Sequence, residues 1–383
     1  MASKTTISRP LEYSLRLFGA WPGSSCQILK TIIWTMIMLT FLVFQCWYCI
    51  SHIKSGLVEL LDGLSYTLSN SLVFLKLIVI WIHKRTFYEI LTTIFEDSNN
   101  WNLTIENRRI MTDKATLSSR ITNFLIGYFG LSFLMYTGLT LVLFDEDQII
   151  SKQRKFLIRM EFPFDATTSP YYEIILVMQF ILESFIVYLA ATSIALIAAL
   201  ILHVGSQIEV FCQNLQGISC IYEKEESRVL AMKEIVVKHE RIIRLSKKVE
   251  TIFSYISLYQ FLSNTLVICF ISFILVISLH TEQATVLIVK CFPYYIAINC
   301  EAFILCYTGE YLTSKSETIT KSAYNFLWYD LKPQEARSIL LVILRSQKQL
   351  TLTAGKFVSL SLEAFANMLK ACASYVSVLY AMY

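Results

Sequence analysis

Few residues in this 383-residue chain could do covalent chemistry. No nucleophile is spaced with a base as a reacting pair, and no glycine-rich loop could cradle phosphate. The ten cysteines and five histidines lack metal-ligand spacing. Catalytic residues, a metal and a cofactor are therefore not expected. What the residues offer is control over water. Asn367, Ala371, Ser374, Val378 and Met382 recur at i, i+4, i+7, i+11 and i+15, one stripe of a helix. The stripe is small and polar at its start and apolar at its end. Leu362, Phe365, Leu369, Val376 and Tyr380 occupy the opposite side. A membrane helix built this way lines a water-filled path or packs closely on another helix. Glu183 is the second polar feature, an acid within an apolar run, where acids are rare and often functional. It could accept a hydrogen bond from a ligand hydroxyl or amine, pair with Lys290, or bond a neighbouring helix.

The elements that position these residues are membrane spans. The chain is 55% hydrophobic and 16% charged, against roughly 25% charged in soluble proteins. Seven stretches match the thickness of a bilayer core, at about 31–53, 57–82, 121–144, 173–203, 253–279, 285–312 and 357–380. The expected fold is an all-α polytopic membrane protein with seven transmembrane helices. The first 25 or so residues lack the apolar core of a cleavable signal, so the first span acts as the insertion signal. Of 33 Lys and Arg, 24 lie in the N-terminal segment and the loops after spans two, four and six, and five lie on the other side. Positive charge stays cytoplasmic, which predicts the N-terminus inside and the C-terminus outside. The one sequon, at Asn102, then faces the cytoplasm and stays bare. A net charge of +4 gives no reason to expect nucleic-acid binding.

The cytoplasmic segments are patterned. Val204, Ile208, Phe211, Leu215 and Ile218 form one apolar stripe, and Ile235, Ile242, Leu245, Val249 and Phe253 another. Helices four and five should therefore continue through 204–252. Pro333 opens a further amphipathic helix over 333–349, with Ile339, Leu340, Ile343 and Leu344 on its apolar face, and 351–355 breaks it. The division that follows is a cytoplasmic N-terminal segment at 1–30 and membrane helices one to six at 31–312. A cytoplasmic anchor at 313–355 and a seventh helix at 356–383 complete it.

The last third carries Gly309-Glu310, Tyr324, Trp328-Tyr329, Arg345-Ser346-Gln347 and Leu352-Thr353-Ala354-Gly355-Lys356-Phe357. It continues with Ser361-Leu362-Glu363-Ala364-Phe365 and Ser374-Tyr375-Val376-Ser377-Val378-Leu379. In order and spacing these residues resemble the insect odorant receptor family. Length, span number and inverted topology agree over the whole chain. The Ser-Tyr ending differs from the Thr-Tyr…Gln-Phe of the related gustatory receptors. The chain also lacks the longer intracellular loop of the family's co-receptor, so it looks like a ligand-tuning subunit.

The resemblance implies a ligand-gated, non-selective cation channel, a heterotetramer with the odorant co-receptor in the plasma membrane of olfactory sensory neurons. A small apolar odorant and membrane lipid are its other partners. The last helix would line the pore, with Val378 and Met382 at an apolar gate and Ala381 where the co-receptor has a polar residue. The ligand would bind in the outer half of the bundle. Faces there that mix aromatic and polar residues are Tyr66, Ser69, Asn70 and Val73 in span two and Phe133 and Tyr136 in span three. Span four adds Leu176, Gln179, Phe180 and Glu183, and span six adds Tyr294 and Ile298 beside Pro293. Lys76 and Glu301 read as structural, snorkelling or paired. The alternatives are a G-protein-coupled receptor, opposed by the charge count and by the absence of Asp-Arg-Tyr after span three, and a gustatory-type receptor channel.

Overall fold

The computed structural model describes residues 5–23, 26–53, 57–99, 103–151, 156–221, 225–278 and 284–382. Asn102 lies outside the described residues, and the side chain of Ile218 is likewise outside them. Ten α-helices follow one another: α1 (Arg9–Leu17), α2 (Gln27–Ser51), α3 (Leu57–Ile82), α4 (Lys84–Ser98), α5 (Ile105–Ser151), α6 (Tyr171–Ile221), α7 (Glu225–Ser278), α8 (Ala284–Asn325), α9 (Pro333–Ser346) and α10 (Leu362–Met382). Six of them, α2, α3 and α5 to α8, are long and apolar enough to cross a membrane. The 21 residues of α10 also match a bilayer's thickness, at roughly 30 Å, although Asn367 and Lys370 interrupt its apolar run. The chain is a helical polytopic membrane protein.

The 51 residues of α6 and the 54 of α7 extend roughly 75 to 80 Å, more than twice the hydrocarbon core of about 30 Å. Their apolar stripes therefore continue beyond the spans, and both find partners within this chain. Val204, Ile208, Phe211 and Leu215 join Ile235, Ile242, Leu245, Val249 and Phe253 in the largest buried cluster. That cluster occupies the side of the molecule rich in Lys and Arg, here called the basic side. Spans three and six likewise belong to longer helices, since α5 starts at Ile105 and α8 runs on to Asn325.

Two helices lie where the sequence was read as loop or plain tail. The stripe Phe87, Ile90, Leu91 and Ile94 of α4 is fully buried against the same cluster. Its period is helical, but its charges hide it from a search for spans. α1 is pinned to α6 by Ser14 Oγ to Thr192 Oγ1 at 2.7 Å and by Tyr188 Oη donating to the Pro10 carbonyl at 2.9 Å. Upstream of α1, Ser118 Oγ donates to the Thr6 carbonyl at 2.7 Å, so the N-terminal segment is woven into the bundle.

The anchor helix α9 begins at Pro333 as expected and stops at Ser346, three residues before 349. The chain is drawn away there because the Leu350 N–H donates to Ser316 Oγ at 2.9 Å. The expected break before the last helix is an ordered hairpin, β1 (Thr353–Ala354) antiparallel to β2 (Val358–Ser359). Gly355 and Lys356 reverse the chain with φ of +61° and +64°, a region open to glycine and rare for lysine. The Gly355 N–H donates to the Ser254 carbonyl of α7 at 2.9 Å, which fastens the start of α10 to the long helix. Gly309 makes the neighbouring contact possible, since a Cβ there would stand 2.6 Å from Leu360 Cβ.

Candidate functional site

Four helices, α3, α5, α6 and α8, enclose a cavity of about 100 Å³, whose wall includes Phe129 and Ala297 of the large buried cluster. α3, α5 and α8 present aromatic and small polar or aliphatic side chains to it, and α6 presents Glu183 with Ile186, Val187 and Ala190. Nine of the twelve ligand-contact residues read from the sequence line it: Tyr66, Ser69, Asn70 and Val73 from α3, Phe133 and Tyr136 from α5, Glu183 from α6, and Tyr294 and Ile298 from α8. The Tyr66 and Tyr294 rings are stacked, with centroids 5.4 Å apart and planes within 5°, and Tyr136 leans on Tyr66 at 5.4 Å. Tyr294 Oη and Ser69 Oγ are 2.7 Å apart, a hydrogen bond that ties α8 to α3. Asn70 Nδ2 donates to Glu183 Oε1 at 2.8 Å and ties α3 to α6. Ile186, Val187, Ala190 and Ala297 supply an aliphatic wall that the search for aromatic and polar faces passed over.

Leu176, Gln179 and Phe180 do not line the cavity. Gln179 is buried, but its amide is taken by the segment that follows α5. Its Oε1 accepts from the Ile158 N–H and its Nε2 donates to the Ile158 carbonyl, both at 3.3 Å. That segment folds back so that Leu157 and Ile158 close the cavity where Gln179 would otherwise point into it. Phe180 turns outward, 39% exposed, with its ring against Phe133 at 5.5 Å. Leu176 packs behind the wall, against the cluster of Met160 with Val73, Leu157, Ile158 and Ile186, the last four of which line the cavity. No local signal marked 156–160 as part of the site, because its role depends on a chain reversal.

The charges around the cavity sort into pairs. Lys76 Nζ stands 2.6 Å from Glu301 Oε1, with side chains 3% and 5% exposed, and Glu301 forms part of the cavity wall. The paired reading of these two residues holds, and Lys76 does not snorkel. Lys290 Nζ sits 4.5 Å from the centre of the Tyr136 ring, a cation–π contact, and Glu183 bonds Asn70 rather than Lys290. At the far end Arg159 bridges Asp62 at 3.4 Å and Glu59 at 3.6 Å.

The last helix is positioned by one face only. Met368 and Cys372 are buried against Val267, Ile268, Cys269 and Ile271 of α7, with Phe365, Leu369 and Val376 half-buried beside them. Asn367, Ser374, Val378, Ala381 and Met382 are exposed and Ala371 is half-buried. The small and polar stripe therefore packs on no helix of its own chain along most of its length.

The family model for the 7tm odorant receptors matches residues 56–373. The chain belongs to the 7tm odorant receptor family. Odorant receptor 13a of Drosophila melanogaster is 24% identical over 405 residues, covering 96% of this chain and 94% of that receptor. Odorant receptor 85b of the same fly is 29% identical over 42% of this chain and 40% of its own length. Odorant receptor 10 of Aedes albopictus is 30% identical over 57% and 58%. The fold is similar to that of the insect olfactory receptor OR5 from Machilis hrabei in complex with eugenol. That match has a TM-score of 0.84 and 17% identity, and it covers 97% of both chains. The chain is an odorant receptor, and its relatives are receptors rather than enzymes.

Proposed function

We propose that this odorant receptor is the ligand-tuning subunit of a non-selective cation channel, built as a heterotetramer with the odorant co-receptor. The small odorant binds among Tyr66, Ser69, Asn70, Val73, Phe133, Tyr136, Glu183, Tyr294 and Ile298. Binding opens a pore lined by Asn367, Ala371, Ser374, Val378, Ala381 and Met382. The N-terminus faces the cytoplasm of the olfactory neuron, in keeping with the 24 cationic residues gathered on that side.

The observation that carries this reading is the single-sided packing of α10. A helix that buries Met368 and Cys372 and leaves Asn367, Ser374 and Lys370 uncovered is poorly matched to lipid on that other side. Around a shared axis the same stripe becomes a hydrated vestibule. Four copies of Val378 would then narrow it to an apolar constriction that an ion cannot cross with its shell. On the basic side, Leu340, Leu341 and Leu344 of α9 are exposed while Ile339 and Val342 are buried, which leaves an apolar face for a neighbouring subunit.

The test is current recorded from cells expressing this chain with a co-receptor. Tyr66→Ala, Tyr136→Ala and Tyr294→Ala together should reduce sensitivity to an activating odorant at least tenfold. Cysteines placed at 367, 374 and 378 should react with water-borne thiol reagents during stimulation. Unchanged sensitivity removes the ligand site, and unreactive cysteines at all three positions remove the pore.

A further inference from the structure

We infer that Glu183 makes this pocket selective for small neutral molecules bearing a hydroxyl group, alcohols or phenols, over ethers and hydrocarbons of the same skeleton. The inference rests on the ligand site proposed above and names the class of molecule it takes.

Three polar groups of the pocket wall have partners within the chain. Glu301 is held by Lys76 at 2.6 Å, and the Tyr294 hydroxyl by Ser69 at 2.7 Å. The Asn70 amide donates to Glu183 Oε1 at 2.8 Å. Glu183 Oε2 has no hydrogen bond among the described residues, and the side chain lines the cavity while only 6% exposed. A carboxyl oxygen in so apolar a wall loses its water when a ligand enters. A ligand that offers it nothing leaves it unsatisfied, and a site built to hydrogen-bond a hydroxyl rejects analogues that lack one. A hydroxyl both donates and accepts, so it satisfies this carboxyl in either protonation state, whereas an ether only accepts. The cavity of about 100 Å³ limits the ligand to roughly ten non-hydrogen atoms.

The experiment compares matched probes on one skeleton: benzyl alcohol, benzyl methyl ether and ethylbenzene, with a parallel straight-chain series of five to nine carbons. Currents are recorded from the complete receptor complex, and thermal stabilisation of the purified complex gives a second readout. In the wild type the alcohol should act at a concentration at least tenfold below the ether and the hydrocarbon. In Glu183→Leu the ratio of alcohol to ether should collapse to within about threefold. Glu183→Gln, which preserves side-chain length and offers both a donor and an acceptor, should retain a preference for the alcohol. A wild type that ranks ether or hydrocarbon level with alcohol overturns the inference. So does a Glu183→Leu receptor that still prefers the alcohol, and so does a complex that no alcohol in either series activates or stabilises. If Tyr66→Ala, Tyr136→Ala and Tyr294→Ala together leave every probe's potency unchanged, the ligand site itself fails. If those substitutions abolish the responses while Glu183→Leu keeps the ratio, only the hydroxyl assignment fails.

Discussion

Residues 191–211 of α6 and the whole of α10 are helical stretches of equal length with opposite surroundings. In the first, every residue is buried except Gln207 and Glu209, which are half-buried. In the second, only Met368 and Cys372 are buried. Both stretches contain small residues: Ala191, Ala195, Ala198, Ala199 and Gly205 in one, Ala364, Ala366, Ala371, Ala373 and Ala381 in the other. In α6 the small side chains let neighbouring helices approach closely, and the Tyr311 ring lies directly over Gly205. In α10 several of them face outward, beside Asn367 and Ser374. Small residues in a membrane helix thus mark a face that something must approach. Whether that something is a helix of the same chain or lies outside it depends on the rest of the fold.

The largest effect should come where the tightly packed region meets the pocket. Lys76→Met alone leaves Glu301 as a buried charge without its partner, a loss of about 3 to 5 kcal/mol. Lys76→Met combined with Glu301→Leu should recover most of it. Thermal unfolding of the purified receptor distinguishes the two, and an additive double variant would place the pair outside the packed region.

The comparison between the two helices is drawn most directly by truncation. Leu200→Ala, in a position 1% exposed, should lower stability by about 2 to 5 kcal/mol. Val378→Ala, 54% exposed, should change it by no more than about 0.5 kcal/mol while altering resting or evoked current. Equal losses of stability at both sites would erase the contrast.

A smaller, pH-dependent effect tests the basic end of α6. His239 of α7 stacks on Phe211 at 5.5 Å, outside the span. Burial, with the Arg345 charge adding to it, pushes its imidazole down from 6.5 to about 4. In the folded protein it stays neutral, and in the unfolded chain it binds a proton below about 6.5. Its contribution is therefore complete above pH 6.5 and is lost as the pH falls toward 4, on the order of 2 to 3 kcal/mol. His239→Phe should flatten that part of the stability curve in a pH series, and an unchanged slope would assign it to other groups.

Much of the fold was legible because lipid imposes it. A run that lacks charge over about 20 residues has few alternatives to a spanning helix, and the stripes through Val204 and Ile242 extended two such helices correctly. α4 was missed although Phe87, Ile90, Leu91 and Ile94 keep a helical period, because its apolar face is narrow and flanked by Lys84, Arg85 and Glu89. Aromatic and polar residues at helical spacing marked the faces of α3, α5 and α8 that line the cavity. Gln179 and Glu183 lie one turn apart on α6 and looked equivalent. They part company because the Ile158 backbone reaches one and Asn70 the other.

By itself, the order of residues determined where the membrane helices lie, that α6 and α7 run on well beyond the bilayer, and that α10 carries two unlike faces. These follow from periodicity and from the thickness of a bilayer, both local properties. Only the folded chain decided that Lys76 meets Glu301 and Asn70 meets Glu183, that Leu157 and Ile158 close the pocket, and that the polar stripe of α10 faces away from its own bundle. Each of those contacts joins residues far apart along the chain, so it is set by how whole helices pack and not by what stands nearby in sequence.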